Sequence, residues 1–163
     1  DHVSEGRLMF REIDLPDGWF VSRVMQEGVD VTATGFLSLA AADSSVEVTI
    51  SNGGGRVVGV IQDKDNNPVP AARFLLLPEA SLRKNPLFMH SGAAYEKGRF
   101  QIDALPPGGY TLVAFPDDDR ASSTFLHDLE NVQKYEPFGQ RIHIDAGQTT
   151  EVTATVIPNF EGQ

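Results

Sequence analysis

Cysteine is absent from these 163 residues, which excludes disulfides and thiolate chemistry. Its absence leaves the compartment open, because many surface proteins use none. Helical periodicity is nearly absent too, and no apolar run approaches the roughly twenty residues of a membrane helix. The first residues, DHVSEGR, lack a basic start and an apolar centre. A mature or excised segment is expected. Basic residues are few: 13 Lys and Arg stand against 23 Asp and Glu, for a formal net charge of -10, and they are scattered rather than gathered in a stripe. Such a chain repels phosphate backbones and anionic lipid, so neither nucleic acid nor membrane insertion is expected.

What the sequence does have is 40% hydrophobic and 22% charged residues, inside the globular range and enough for one complete core and a smaller second one. Short alternating runs separated by Gly, Pro, Asn and Asp predict an all-β antiparallel sandwich. GRVVGVIQD (55–63) is a strand rich in β-branched residues, and DKDNNPVP (63–70) is a turn. In AARFLLL (71–77), Ala72, Phe74 and Leu76 share one face while Leu75 and Leu77 take the other, and both faces read as buried. PEASLRKNPLFMHSGAAYEKG (78–98) reads as a polar loop with a short strand near Phe88. GRFQIDALPPGGYTLVAF (98–115) gives two strands joined by a Pro-Pro-Gly-Gly corner, with Phe100 and Ile102 before it and Tyr110, Leu112 and Ala114 after it. Phe125, Leu129 and Val132 predict one short helix over 123–135, lying across an end of the sandwich. Two strands around a DAG turn close the unit, with Val152, Ala154 and Val156 on one face.

The corner occurs twice. DLPDGWFVSRVM (14–25) repeats the Leu-Pro, Gly, aromatic and extended run of ALPPGGYTLVAF (104–115), but barely a dozen residues precede it. Val46, Val48 and Ile50 alternate as Val152, Ala154 and Val156 do, so residues 1–53 read as the closing strands of a similar unit without its opening ones. A remnant of three or four strands leaves apolar faces uncovered and at least one edge unpaired. It needs something to complete it. The GGG at 53–55 precedes a strand and reads as a hinge, not a phosphate loop.

GRVVGVIQDKDNNPVPAARFLLLPE, followed by GRFQIDALPPGGYTLVAF and closed by IHIDAGQTTEVTATV, resembles the carboxypeptidase regulatory-like domain, a transthyretin-like, Ig-like β-sandwich. The resemblance covers roughly residues 54–158 and implies a non-catalytic accessory domain of surface, periplasmic or secreted proteins. It places a complete sandwich at 54–163 and the closing half of a similar one at 1–53.

Catalytic chemistry has little to stand on. His2, His90, His127 and His143 lack the short spacings of a metal site. The topology implied by the resemblance is shared with intradiol dioxygenases, whose iron needs two tyrosines and two histidines. Tyr95, Tyr110 and Tyr135 are the tyrosines present, and Tyr110 occupies a packing position at the corner. Asp117, Asp118 and Asp119, and the DKD at 63–65, are candidates for calcium, weighed against solvated turns. A related family of adhesin repeats crosslinks Lys to Asn beside an acid. Here Lys64 falls in a turn and Ala114 stands where that acid would be, so a bond to Asn159 is not expected. No enzyme and no cofactor is expected.

Two functional classes remain. The first is an extracellular structural module that exchanges a strand with a second copy or a tandem neighbour, through Val46, Val48, Ile50 and Phe36, to build a filament, pilus-like fibre or stalk. The second is a carbohydrate-binding accessory module in which Trp19 and Phe20 stack on a sugar, against the plainer reading that Trp19 caps the half-unit core as Tyr110 does in the full one. Phe115, Phe138 and Phe160 read as core or interface residues.

Overall fold

A computed structural model describes residues 7–10, 13–38, 44–118, 121–126, 128–158 and 160. The chain is all-β. Its larger part contains β6 (Gly55–Gln62), β7 (Arg73–Pro78), β8 (His90–Ala93), β9 (Arg99–Leu105), β10 (Gly108–Phe115), β11 (Gln140–Ile144) and β12 (Thr149–Thr155). One sheet has the order β11-β10-β7-β8 and the other β12-β6-β9. All pairings in these two sheets are antiparallel except β6 with β12, which is parallel.

Period-two alternation sets the core. Phe74 and Leu76 of β7, with Tyr110, Leu112 and Ala114 of β10, face Val57, Ile61, Phe100, Leu105 and Ala154 across the sandwich. The Leu-Pro-Pro-Gly-Gly corner carries the chain from β9 in one sheet to β10 in the other. Tyr110, beside it, is 5% exposed, and its hydroxyl donates to the Pro106 carbonyl at 2.8 Å. Burial, and then the charge of Glu79, raise its phenol above the ordinary value, so it remains a donor. Tyr110→Phe removes that bond and leaves the carbonyl unpaired, so a loss of about 1–2 kcal/mol is expected in urea unfolding.

The opposite faces of β7 and β10 are buried as well. Leu75, Leu77, Val113 and Phe115 lie beneath Phe125, Leu126 and Val132. The segment expected as one helix forms two, α1 (Ser123–Leu126) and α2 (Leu129–Gln133), because Asp128 stands between them as an N-cap accepting from Glu130 N at 3.1 Å and Asn131 N at 3.4 Å. They cover the outer face of the four-stranded sheet rather than an end of the sandwich. The apolar outer rows of β7 and β10 give that face the larger area to remove from water.

The first unit has β1 (Arg7–Met9), β2 (Trp19–Gln26), β3 (Val29–Asp30), β4 (Phe36–Ser38) and β5 (Val46–Asn52). Among the described residues these make a β1-β4 pair and a β3-β2-β5 sheet, five strands where three or four were expected. Its core is Val21, Val24 and Leu37, with Phe10, Ile13, Leu15, Val31 and Val48 against it. Gln26 ties the two sheets: its amide donates to Ser38 O at 2.7 Å and accepts from Ser38 N at 2.8 Å. Gly18, at φ +79, closes the Leu-Pro-Asp-Gly corner between β1 and β2.

The pairing matches part of the larger plan. β1 and β2 flank a sheet-switching corner as β9 and β10 do, and β3 pairs with β2 as β11 pairs with β10. β5 runs antiparallel beside β2, in the place that β7 holds beside β10. The alternation of Val46, Val48 and Ile50 suggests instead a closing strand like β12. Alternation fixes a strand's buried face but not its neighbour, and β5 joins the sheet of β2. By the same pairing β4 stands beside β1 as β6 stands beside β9, and counterparts of β8 and β12 are missing among the described residues.

The units interlock. Asn85, fully buried, donates to Thr32 O at 2.8 Å and accepts from Leu87 N at 3.1 Å, and Leu87 packs on the first unit's core. A bidentate pair from Arg83 to Glu136, at 2.6 and 2.5 Å, holds the same loop from the other side. The expected hinge is a tight joint: a Cβ on Gly54 would stand 2.8 Å from the Ala104 carbonyl carbon, and one on Gly55 would overlap Ile144.

Candidate functional site

Two features remain once the cores are assembled. The first is the free edge of β5. Its ladder to β2 runs from Trp19 opposite Asn52 to Gln26 opposite Val46, with a bulge between Val21 and Arg23. Among the described residues nothing pairs with its other edge. In the larger unit β8 fills that position beside β7, with His90 opposite Leu76. Val48 reaches the small core, whereas its face-mates Val46 and Ile50 are 39% and 40% exposed. An apolar row with an open row of backbone donors and acceptors is a template for another strand. Phe36, the further candidate, lies on β4 opposite Met9.

The second feature is a cleft of about 650 Å³ where Ile13, Leu15, Trp19 and Phe20 of the first unit meet β8 and β9. Trp19 is half-buried on its wall. His90 lines it too, sharing a sheet face with Phe74 and Leu76 by register. The His90 Nε2 is shut off from solvent and has no hydrogen-bond partner. Burial lowers its pKa to about 4, so the ring is neutral at physiological pH. Tyr95, 69% exposed, stands at the mouth, between the cleft and the outer face of the β12-β6-β9 sheet.

Among the described residues the candidates for a catalytic or metal site stand apart. Tyr110 lies in the sandwich core and Tyr135 against the helix-covered one, away from exposed Tyr95. His143 approaches only Asp145, at 3.6 Å on the surface. Asp63 accepts from Asn67 N at 2.9 Å and Asp65 N at 2.8 Å, bonds that hold its carboxyl below the usual range and commit it to its own turn. No group of three or more His, Asp or Glu among the described residues could hold a metal ion. Asp117 is exposed, Asp118 is partly buried, and Asp119, His2, His127 and Asn159 lie outside the described residues. Phe115 and Phe160 are core, whereas Phe138 is 63% exposed.

No family model matches the chain. No curated protein sequence matches it either. Among solved structures it is similar to the Bacillus anthracis TIE protein, at 13% identity and TM-score 0.42 over 88% of this chain and 32% of that one. It is similar to the major pilin subunit of Bacillus cereus at 12% identity and TM-score 0.40, over 86% of this chain and 57% of the other. A minor pilin of Streptococcus agalactiae gives 15% identity and TM-score 0.42, over 90% and 63%. The chain thus spans between a third and two thirds of each of these proteins. Among the described residues no helix is long and apolar enough to cross a membrane.

Sequence reasoning misses Asn85 and Leu87 and weighs His90 and Tyr95 only as metal ligands, and all four lie in the stretch that reads as a polar loop. The one available signal is Asn-Pro at 85–86, which marks a capped turn.

Proposed function

We propose that the chain is a non-catalytic structural module of a surface or secreted protein, with a sandwich of the carboxypeptidase regulatory-like type at 54–163 and an incomplete unit at 1–53. A second copy completes that unit by adding a strand along β5. The observation that carries this reading is the outer edge of β5, unpaired among the described residues, together with the partial exposure of Val46 and Ile50 on its apolar face. The added strand would take the place beside β5 that β8 takes beside β7. Main-chain hydrogen bonds supply affinity in such an addition, and pockets for alternate side chains supply register. If donor and acceptor are different surfaces, the contact repeats without closing and builds a fibre or stalk.

The test is the size of the full chain in solution. Large species by sedimentation, with fibres in negative stain, are expected. Val46→Lys combined with Ile50→Lys puts two charges along the edge at positions already two fifths exposed, so a folded monomer is expected from the variant. A wild-type protein that remains a monodisperse monomer at high concentration would overturn the proposal.

A further inference from the structure

The cleft between the units has the makings of a ligand site that owes nothing to strand addition. Trp19, Phe20 and Ile102 give it apolar and aromatic patches, while most of the exposed lining is polar, with Gln101 and Asp103 of β9 contributing. Gln101 and Asp103 are exposed on the rim, where the Gln101 amide donates to the Asp103 carboxylate at 2.6 Å and both side chains offer hydrogen-bonding atoms to a sugar's hydroxyls.

The mouth adds a second kind of contact. Tyr95 presents a largely exposed ring where the cleft opens onto the outer face of the β12-β6-β9 sheet. On that face Val58 and Val60 sit between Glu151 and Thr153 of β12 and Gln101 and Arg99 of β9, by register. A groove therefore continues past Tyr95 over a surface of apolar centre and hydrogen-bonding margins. A pyranose has the same construction, with C–H faces that stack on aromatic rings and hydroxyls at its rim. The acidic excess of the chain disfavours an anionic polymer.

We propose that this cleft and the sheet face beyond Tyr95 bind an uncharged oligosaccharide, with sugar rings on Trp19 and Tyr95 and hydroxyls on Gln101 and Asp103. The site lies on the flank formed by β8 and β9, so it operates whether or not β5 accepts a strand.

The experiment is an NMR titration of the full chain with cellohexaose and with N-acetylchitohexaose, each to about 10 mM to capture weak binding. Amide shifts confined to Tyr95, β9, the start of β2 and the adjoining residues of β6 and β12 are expected for at least one of the two sugars. Tyr95→Ala leaves the fold intact because the ring is exposed, and it should weaken that binding about tenfold. Silence from both sugars, shifts that map elsewhere, or undiminished binding by Tyr95→Ala would overturn the proposal. Equal binding of a heparin hexasaccharide at the same residues would overturn the uncharged class.

Discussion

Phe115→Ala is expected to cost about 4 kcal/mol of folding stability, a large share of the roughly 5–15 kcal/mol that holds a native protein together. Phe115 is fully buried at the end of β10, on the face that α1 and α2 cover. Its ring meets Phe125 edge-on at 5.6 Å, Tyr135 at 5.7 Å and Phe160 at 5.1 Å. Truncation removes the transfer energy of the ring and leaves a cavity. The cavity collapses poorly, because the three neighbours also pack on one another, Phe125 on Phe160 at 5.2 Å and Tyr135 on Phe160 at 5.4 Å. Urea unfolding at unchanged m-value checks the figure. Phe138→Ala is the control: that ring is 63% exposed, and its loss should stay within about 0.5 kcal/mol. A small effect at Phe115 would mean that the helices do not seal the outer face of the sheet.

Acid should loosen the protein through His90 before it does so through the carboxylates. The folded imidazole has a pKa near 4, against 6.5 for the free side chain, and burial is the cause. Between those values the unfolded chain binds a proton that the folded chain does not, so stability increases with pH across this window. Lowering the pH from about 6.5 to about 4 should therefore remove up to about 3 kcal/mol, with no further loss from this group below pH 4. The prediction is checked by urea midpoints at half-unit pH steps. His90→Phe keeps an aromatic ring at the site, has no proton to bind, and should flatten the curve over that window. An equally steep curve in the variant would assign the acid sensitivity to other groups. Asp30 and Asp63 act at lower pH: both carboxyls are depressed, chiefly by bonds from Thr32 and Asn67 respectively, and their contribution is lost as pH falls through the folded values.

The larger sandwich was legible because its residues obey one period. Phe74 and Leu76 point into the core and Leu75 and Leu77 out of it, as alternation requires, and Tyr110, Leu112 and Ala114 follow the same rule after the corner. Partners are harder to read than faces. β5 alternates as cleanly as β12, yet its place is beside β2, since a strand's neighbours depend on which backbone edges the rest of the chain leaves open. Nor does a helical spacing carry the break that Asp128 makes or the face that its helices cover.

The site was less legible than the fold. Trp19 comes from the comparison of the two corners, and Val46, Val48 and Ile50 from the alternation they share with Val152, Ala154 and Val156; they lie on β5, whose outer edge has no partner among the described residues. His90 and Tyr95 belong to a stretch without periodicity. One becomes notable only when burial strands its Nε2, the other only when a groove opens beside its ring. Asn85 is equally silent in the sequence, because its importance comes from a carbonyl 53 residues away, that of Thr32.

Amide hydrogen exchange along β5, measured at low and at high protein concentration, tests the central claim most directly. If a second copy adds its strand there, amides within Val46–Asn52 should gain at least about tenfold in protection as concentration rises, while those of β9 exchange alike at both. Identical exchange along β5 at both concentrations would contradict the account.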